Sequence, residues 1–573
     1  MKLPALYSLG QSRAETTGFG GLDRTEQCAD GQFADECNLS ARRWPALCPR
    51  LPRRLAASVP QPHGLYAKNG LVWAAGTTLY YNGQAVGAVS DTDKTFCGIG
   101  SRVLVFPDKL CLDTEALTLT PLGAKWAAAG QVRFAPSRID GSEYTVTASG
   151  AAAPEDPANG DCWLDTSGDS AVLRVWSEAT AGWSAVSTPY VRIGAAGIGK
   201  PFARYDTVTL GGISAEVLGD AAAVLNTDCV IWDKGDDYLV VTGLVDRVAV
   251  QEAEQGEVTA ERRIPDLDFL TECDNRVWGV AQNGHEIFAC KLGDPTNWYS
   301  YMGTAADSYT VSVGSDGPFT GAATCMGYVL LFKEGLIHRV YGTKPANYQV
   351  VTMPCPGVKA GCERSLATVD STLYYYSPRG PMACDGGLPQ PVGEALGEAT
   401  GTAAVGGAAD GCYCLSLEEN GTRSLYRYHP LRSLWHRHSD PDTRWMASSG
   451  EALYLLAADG QLWQTDDPTG ETDAPVRWYA QTAPLHRRES GRRFLTKLEL
   501  QLALEAGSEV RVLIRYDETG PWVQAGQLRP ALRRSAVLPV RPRKCDTFRL
   551  RLEGSGDATL YGISRVFTKG SEL

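Results

Sequence analysis

The densest group of side chains able to do chemistry lies between positions 412 and 440: Cys412, Cys414, His429, His436, His438 and Asp440. Alternate residues of a strand share a face, so Cys412 with Cys414, and His436 with His438, each place two ligands on one side. Four such ligands converging at about 2.0 to 2.3 Å would make a zinc site. The spacing matches no common zinc pattern. The expectation is therefore two buried thiols and solvent-facing histidines at the edge of a β unit, with no metal.

Paired carboxylates are the next candidates. A propeller glycoside hydrolase of the sialidase kind needs arginines for its substrate carboxylate, a Tyr–Glu nucleophile pair and an acid. Asp517, Gly520 and Trp522 in DETGPW, and DTSGDSAVLRVW from Asp165, are similar to the Asp-turn hairpins of such enzymes. Both read better as hairpins in which Asp caps the turn and Trp packs beneath it. Trp163, Trp176, Trp183 and Trp522 are also the aromatics that a glycan-binding surface would use, against a reading as hairpin packing. No phosphate loop, H-E-x-x-H or convincing G-x-S-x-G occurs. Asp233, Asp236 and Asp237 lack calcium-loop spacing. No catalytic residue and no cofactor is expected.

Basic residues form a second pattern. Arg42, Arg43, Arg50, Arg53 and Arg54 fall in a stretch free of Asp and Glu from Asn38 to Pro62, with Pro45, Pro49 and Pro52 among them. Few strand signals occur there. The segment 1–62 reads as an extended arm that needs a partner surface to order it, its arginines pairing with carboxylates of a neighbour. Arg487, Arg488, Arg492 and Arg493, and Arg533, Arg534, Arg541 and Arg543, read as solvated faces able to meet an acidic neighbour.

The elements that must position these residues are strands. The chain has 573 residues, 61 glycines, 32 prolines and 43% hydrophobic residues, a composition that favours many short strands joined by turns. Its net charge of -12 argues against a generic nucleic-acid binder. The 16 cysteines are dispersed, many inside apolar stretches, without a C-x-x-C pair. They read as reduced, buried residues of a protein made in a cytoplasm. No apolar run reaches the roughly 18 residues of a membrane helix, and the opening MKLPALYSLGQ, broken by Pro4, does not read as a signal peptide.

A loose repeat of apolar strand, polar turn and aromatic-rich strand begins at Gly64, Phe96, Phe269, Ala323, Ser365, Ala403 and Arg444. Its later units recur at about 40 to 50 residues, the period of propeller blades. The fold expected is all-β: a β-propeller of six to eight blades, with an inserted β-domain, a C-terminal β-sandwich and an extended N-terminal arm. The expected boundaries are 1–62 for the arm, 63–122 and 266–473 for the propeller, 123–265 for the insertion and 474–573 for the sandwich.

Several segments carry a family resemblance. GDCWLDTSGDSAVLRVWSEATAGWSAV, ERRIPDLDFLTECDNRVWGV and NGHEIFACKLGDPTNWYSY resemble phage and prophage virion proteins, as do VGSDGPFTG with LLFKEGLIHRVYG and the arm pattern FGGLDRTEQCADGQFADECNLSARRWPALCPR. The family is that of β-propeller tail-hub, nozzle or packaged-DNA-stabilisation proteins of bacteriophages. LGDPTNW is its most specific piece, with Gly293, Asp294, Pro295, Asn297 and Trp298 forming a turn that Asp294 and Asn297 cap and Trp298 packs. The resemblance implies a non-enzymatic structural subunit in the neck or tail of a virion, made in the bacterial host cytoplasm. It implies self-association as a ring, most commonly hexameric, with adjacent portal, adaptor or tail proteins as partners. Contact with DNA in the channel would be passive, and no membrane anchor is implied. A tail component that binds the host surface or a glycan is the alternative, and a propeller glycoside hydrolase the third reading.

Overall fold

The computed structural model describes residues 11–169, 171–186, 190–243, 250–252, 257–398, 400–470, 472–485 and 493–569. Nearly every element is a strand. Among the described residues, seven four-stranded sheets of blade type follow the repeat, at 62–88, 95–121, 269–312, 321–353, 367–391, 403–439 and 443–464. Six have their four strands in chain order, and the seventh takes its fourth strand, Arg54–Ser58, from near the start of the chain. The chain is an all-β protein of the propeller class with further β-domains. Among the described residues, no helix is long and apolar enough to cross a membrane.

Two compact units are distinguished. Met1–Thr95, Gly317–Arg339 and Val350–Leu573 make the first. Its blades are filled by aromatic side chains at alternating strand positions. Tyr374 stacks on Tyr413 at 5.1 Å, and Tyr428 lies 4.8 Å from Trp435. Offset or edge-on ring pairs of this kind add about 0.5–1.5 kcal/mol to the burial of their area.

The same unit holds the sandwich. One sheet runs Gln11–Thr16, Ala558–Lys569, Arg493–Leu504 and Ala531–Leu538; the other runs Asp35–Cys37, Arg477–Gln481, Phe548–Ser555, Glu509–Tyr516 and Trp522–Leu528. Strict alternation explains the layering: Leu498, Leu500, Leu502 and Leu504 are buried, as are Val510, Val512, Ile514 and Tyr516. The residues between them point outward.

These sheets correct two expectations. The N-terminal segment is not an arm awaiting a neighbour. Gln11–Thr16 pairs antiparallel with Ala558–Lys569, Asp35–Cys37 pairs with Arg477–Gln481, and Arg54–Ser58 pairs with Gln461–Gln464. Phe19, Phe33, Leu39 and Leu47 enter the sandwich core, while Leu22 enters a blade core. The segment orders on its own chain because its few apolar residues fill cores built by sequence hundreds of residues away. Its first ten residues lie outside those described. The sandwich, in turn, is not made by 474–573 alone, since an edge strand of each sheet comes from the N-terminal segment.

Phe96–Asp316 with Val340–Gln349 makes the second unit. Between its blades at 95–121 and 269–312 stands an eight-stranded sheet whose outer strands are Ala124–Ala127 and Val250–Glu252. Two short helices, Ala215–Leu218 and Ala221–Leu225, bury Leu218, Ala221, Ala222 and Leu225 in its core. A smaller sheet holds Val146–Gly150, Cys162–Asp165, Val172–Ser177 and Gly182–Ala185, its first pair parallel. Most of the expected strand at VDRVAVQE, like Arg487, Arg488 and Arg492, lies outside the described residues.

Candidate functional site

The LGDPTNW segment follows the blade strand Glu286–Ala289. Gly293 turns the chain at φ +71, and its N–H donates to the Asn275 carbonyl at 2.8 Å. Asp294 Oδ1 accepts from the Thr296 N–H at 3.0 Å and the Thr296 hydroxyl at 2.6 Å. The Asn297 amide donates to Asp294 Oδ2 at 2.5 Å and to Asp206 Oδ1 at 3.1 Å, and its carbonyl accepts the Thr207 N–H at 3.0 Å. Trp298 is buried, and its indole N–H donates to the Pro295 carbonyl at 2.8 Å. Asp206 also pairs with Arg262, which donates to the Leu122 carbonyl at 3.0 and 3.1 Å. The motif is thus a brace between a blade and the eight-stranded sheet. Its polar groups bond to one another and to Asp206 and Thr207.

The cysteine and histidine residues are partnered separately. Cys412 Sγ lies 3.1 Å from His429 Nδ1, His436 Nδ1 lies 2.6 Å from Glu36 Oε1, and His438 Nε2 lies 2.8 Å from the Leu39 carbonyl oxygen. The histidines were expected to face solvent; all three are buried, His436 to 1% exposure. The N-terminal segment covers them, which local sequence could not reveal. Burial, with His436 and Arg427 nearby, pushes His429 down to about 3. Burial beside Arg50, Arg427 and Arg53 drives His438 well below the usual imidazole range. Burial also pushes the Cys414 thiol up to about 12. These are neutral, unreactive forms.

A Tyr–Glu pair does occur, since the Tyr426 hydroxyl donates to Glu419 Oε2 at 2.7 Å. Tyr426 is fully buried, however, and that burial raises its phenol, which makes it a poor nucleophile. The Asp-turn residues act as caps. Asp165 accepts from the Ser167 N–H at 3.0 Å and Arg174 at 2.8 Å. Asp517 accepts from the Asp546 N–H at 2.9 Å. Trp183 meets Trp163 and Trp176 edge-on, each at 5.5 Å, so these three pack on one another.

Four of the five N-terminal arginines pair with carboxylates of their own chain. Arg42 meets Asp557 at 3.0 Å, Arg43 meets Asp557 at 2.7 Å, Arg50 meets Asp473 at 2.6 Å and Arg54 meets Asp467 at 2.8 Å. They are not free to grip a neighbour. Arg53 differs. Only 6% exposed, it has no carboxylate within ion-pair distance among the described residues, and its guanidinium donates through Nη2 to the Ser439 carbonyl. Its own N–H donates to Asp473 at 2.7 Å. Arg50 and Arg53 line a cleft of about 550 Å³ with Asn38, Asp440, Asp473 and Arg477. Sequence reasoning missed Arg477, and it missed Asp473, Asp557 and Glu36, each of which lies 400 residues or more from the side chain it meets.

No family model and no curated protein matches the chain. Solved structures to which it is similar include BamB from Moraxella catarrhalis, at 10% identity over 74% of this chain and 98% of that one, TM-score 0.34. The computationally designed Ika8 protein matches at 12% identity over 73% and 99%, TM-score 0.29. An exo-beta-1,3-galactanase from Phanerochaete chrysosporium matches at 9% identity over 52% and 95%, TM-score 0.21.

Proposed function

We propose that the chain is a non-enzymatic structural subunit of a bacteriophage particle. It forms a homo-oligomeric ring, most simply a hexamer, in the neck or tail, where it connects virion components and surrounds the DNA channel. The observation that carries this reading is the brace. The segment with the most specific virion resemblance, LGDPTNW, spends Asp294, Asn297 and Trp298 on holding a blade to the eight-stranded sheet. That is what a subunit transmitting force needs, and it leaves no acid, base or nucleophile there. Head-to-tail contacts between blade flanks close into rings when their rotation closes. A net charge of -12 suits a channel wall that lets DNA pass, because like charges repel.

The N-terminal segment is not the anchor in this proposal, because its strands and four of its arginines are committed within the chain. Contacts to portal, adaptor or tail proteins fall to other surfaces. The test is made on particles of the phage or prophage that encodes the chain. Mass spectrometry should find the protein in purified virions at a fixed, small copy number. Particles assembled without it should lack one layer and everything distal to it. Complete, infectious particles assembled without the protein would refute the proposal.

A further inference from the structure

We infer that the cleft lined by Arg53 and Arg477 is an oxyanion-binding site, built for a carboxylate or phosphate group. Two guanidinium groups in it keep unused donors. Every nitrogen of Arg50 is bonded: Nε donates to Asn38 at 2.9 Å, Nη1 to the Leu51 carbonyl at 2.8 Å and Nη2 to Asp473 at 2.6 Å. Asp473 spends one oxygen on Arg50 and the other on the Arg53 N–H. Asp440 accepts the Thr443 N–H at 2.7 Å through Oδ1, and its Oδ2 is buried without a hydrogen-bond partner.

Arg53 bonds through Nη2 alone; its Nε and Nη1 make no bond among the described residues, and the residue lines the cleft. Arg477 is exposed, lines the same cleft, and its side chain makes no bond with the described residues. Burial and the neighbouring Arg50 push the Arg53 guanidinium down to about 10, so its charge persists at neutral pH in a place that penalises it. Asp473, Asp440 and Asp466 favour that charge only in part, and an incoming anion would add to them. Arg53 and Arg477 together offer guanidinium N–H donors suited to a carboxylate or phosphate group.

The anion has two sources, a free ion or an acidic side chain of a neighbouring protein. The full-length chain is titrated calorimetrically with sodium phosphate, and separately with a hexaglutamate peptide, at ionic strength held constant with chloride. Saturable binding in either series is expected. Phosphate alone would identify a free ion, and the peptide an acidic segment. Arg477→Gln should weaken that binding by about tenfold while its melting in chloride stays unchanged, because the side chain holds nothing in the fold. Arg53→Lys, which keeps the charge and removes the guanidinium's planar set of donors, should weaken it too. Heats no larger than those of chloride in both series, or equal affinity in Arg477→Gln, would overturn the inference. Binding is read on the isolated chain, so its failure is separate from failure of the virion reading.

Discussion

Asn297 shows how one side chain serves three partners. It donates to Asp294 and Asp206 and accepts from the Thr207 N–H, all beneath the surface. Asn297→Ala leaves that N–H and part of Asp206 without partners, at a cost of about 1–3 kcal/mol. Urea unfolding should show the loss as a lower midpoint at unchanged slope. Asn297→Asp should be no milder, because it adds a third carboxylate beside Asp294 and Asp206. The buried histidines give a second expectation. Burial holds His429 at about 3, His338 at about 4 and His438 well below its ordinary value, whereas each binds a proton near 6.5 once unfolded. The unfolded chain therefore binds more protons at acid pH. This contribution to stability is complete above about pH 6.5 and falls as pH drops toward 4. The slope of unfolding free energy against pH between 6 and 4.5 should shrink in a His429→Gln variant. An unchanged slope would show that His429 is not buried neutral. The sequence identified Asp294, Asn297 and Trp298 as a structural turn, but Asp206, some ninety residues away, belongs to no pattern that spacing can reveal.

At the scale of elements, legibility follows the distance between pairing partners. Blade strands pair with the next strand in sequence, so alternation and turn residues exposed them: Ala403–Ala409, Cys412–Glu419, Thr422–His429 and Leu434–Ser439 follow each other directly. Three of the N-terminal strands, Gln11–Thr16, Asp35–Cys37 and Arg54–Ser58, pair across more than 400 residues, and Asp35–Cys37 is only three residues long. Their local sequence resembles a linker. Gly21 marks how closely this segment docks. Its φ is +72, a Cβ there would collide with the Trp435 carbonyl oxygen, and the next N–H, of Leu22, donates to that oxygen at 2.7 Å. Gly21→Val should destabilise the docked segment and speed its proteolysis, with cleavage mapped by mass spectrometry. A truncated chain lacking residues 1–58 loses an edge strand of each sandwich sheet and the closing strand of the last blade. Instead of staying folded, it should expose apolar surface and bind a hydrophobic dye. For the same reason residues 474–573 alone should melt without cooperativity, and adding back residues 11–50 should restore a sharp transition. A sharp melt of 474–573 by itself would show that the N-terminal strands are dispensable.

For the whole molecule, seven blade sheets and the sandwich give a large, strand-built subunit, with buried polar pairs such as His436 with Glu36 inside it. The account's central claim is self-assembly into a closed ring around a channel. Electron-microscopy class averages of the purified full-length protein, over a range of concentrations, test it most directly. Rings of fixed copy number with a central opening wide enough for a DNA duplex are expected. Single subunits at every concentration, or open filaments with no closed form, would contradict it.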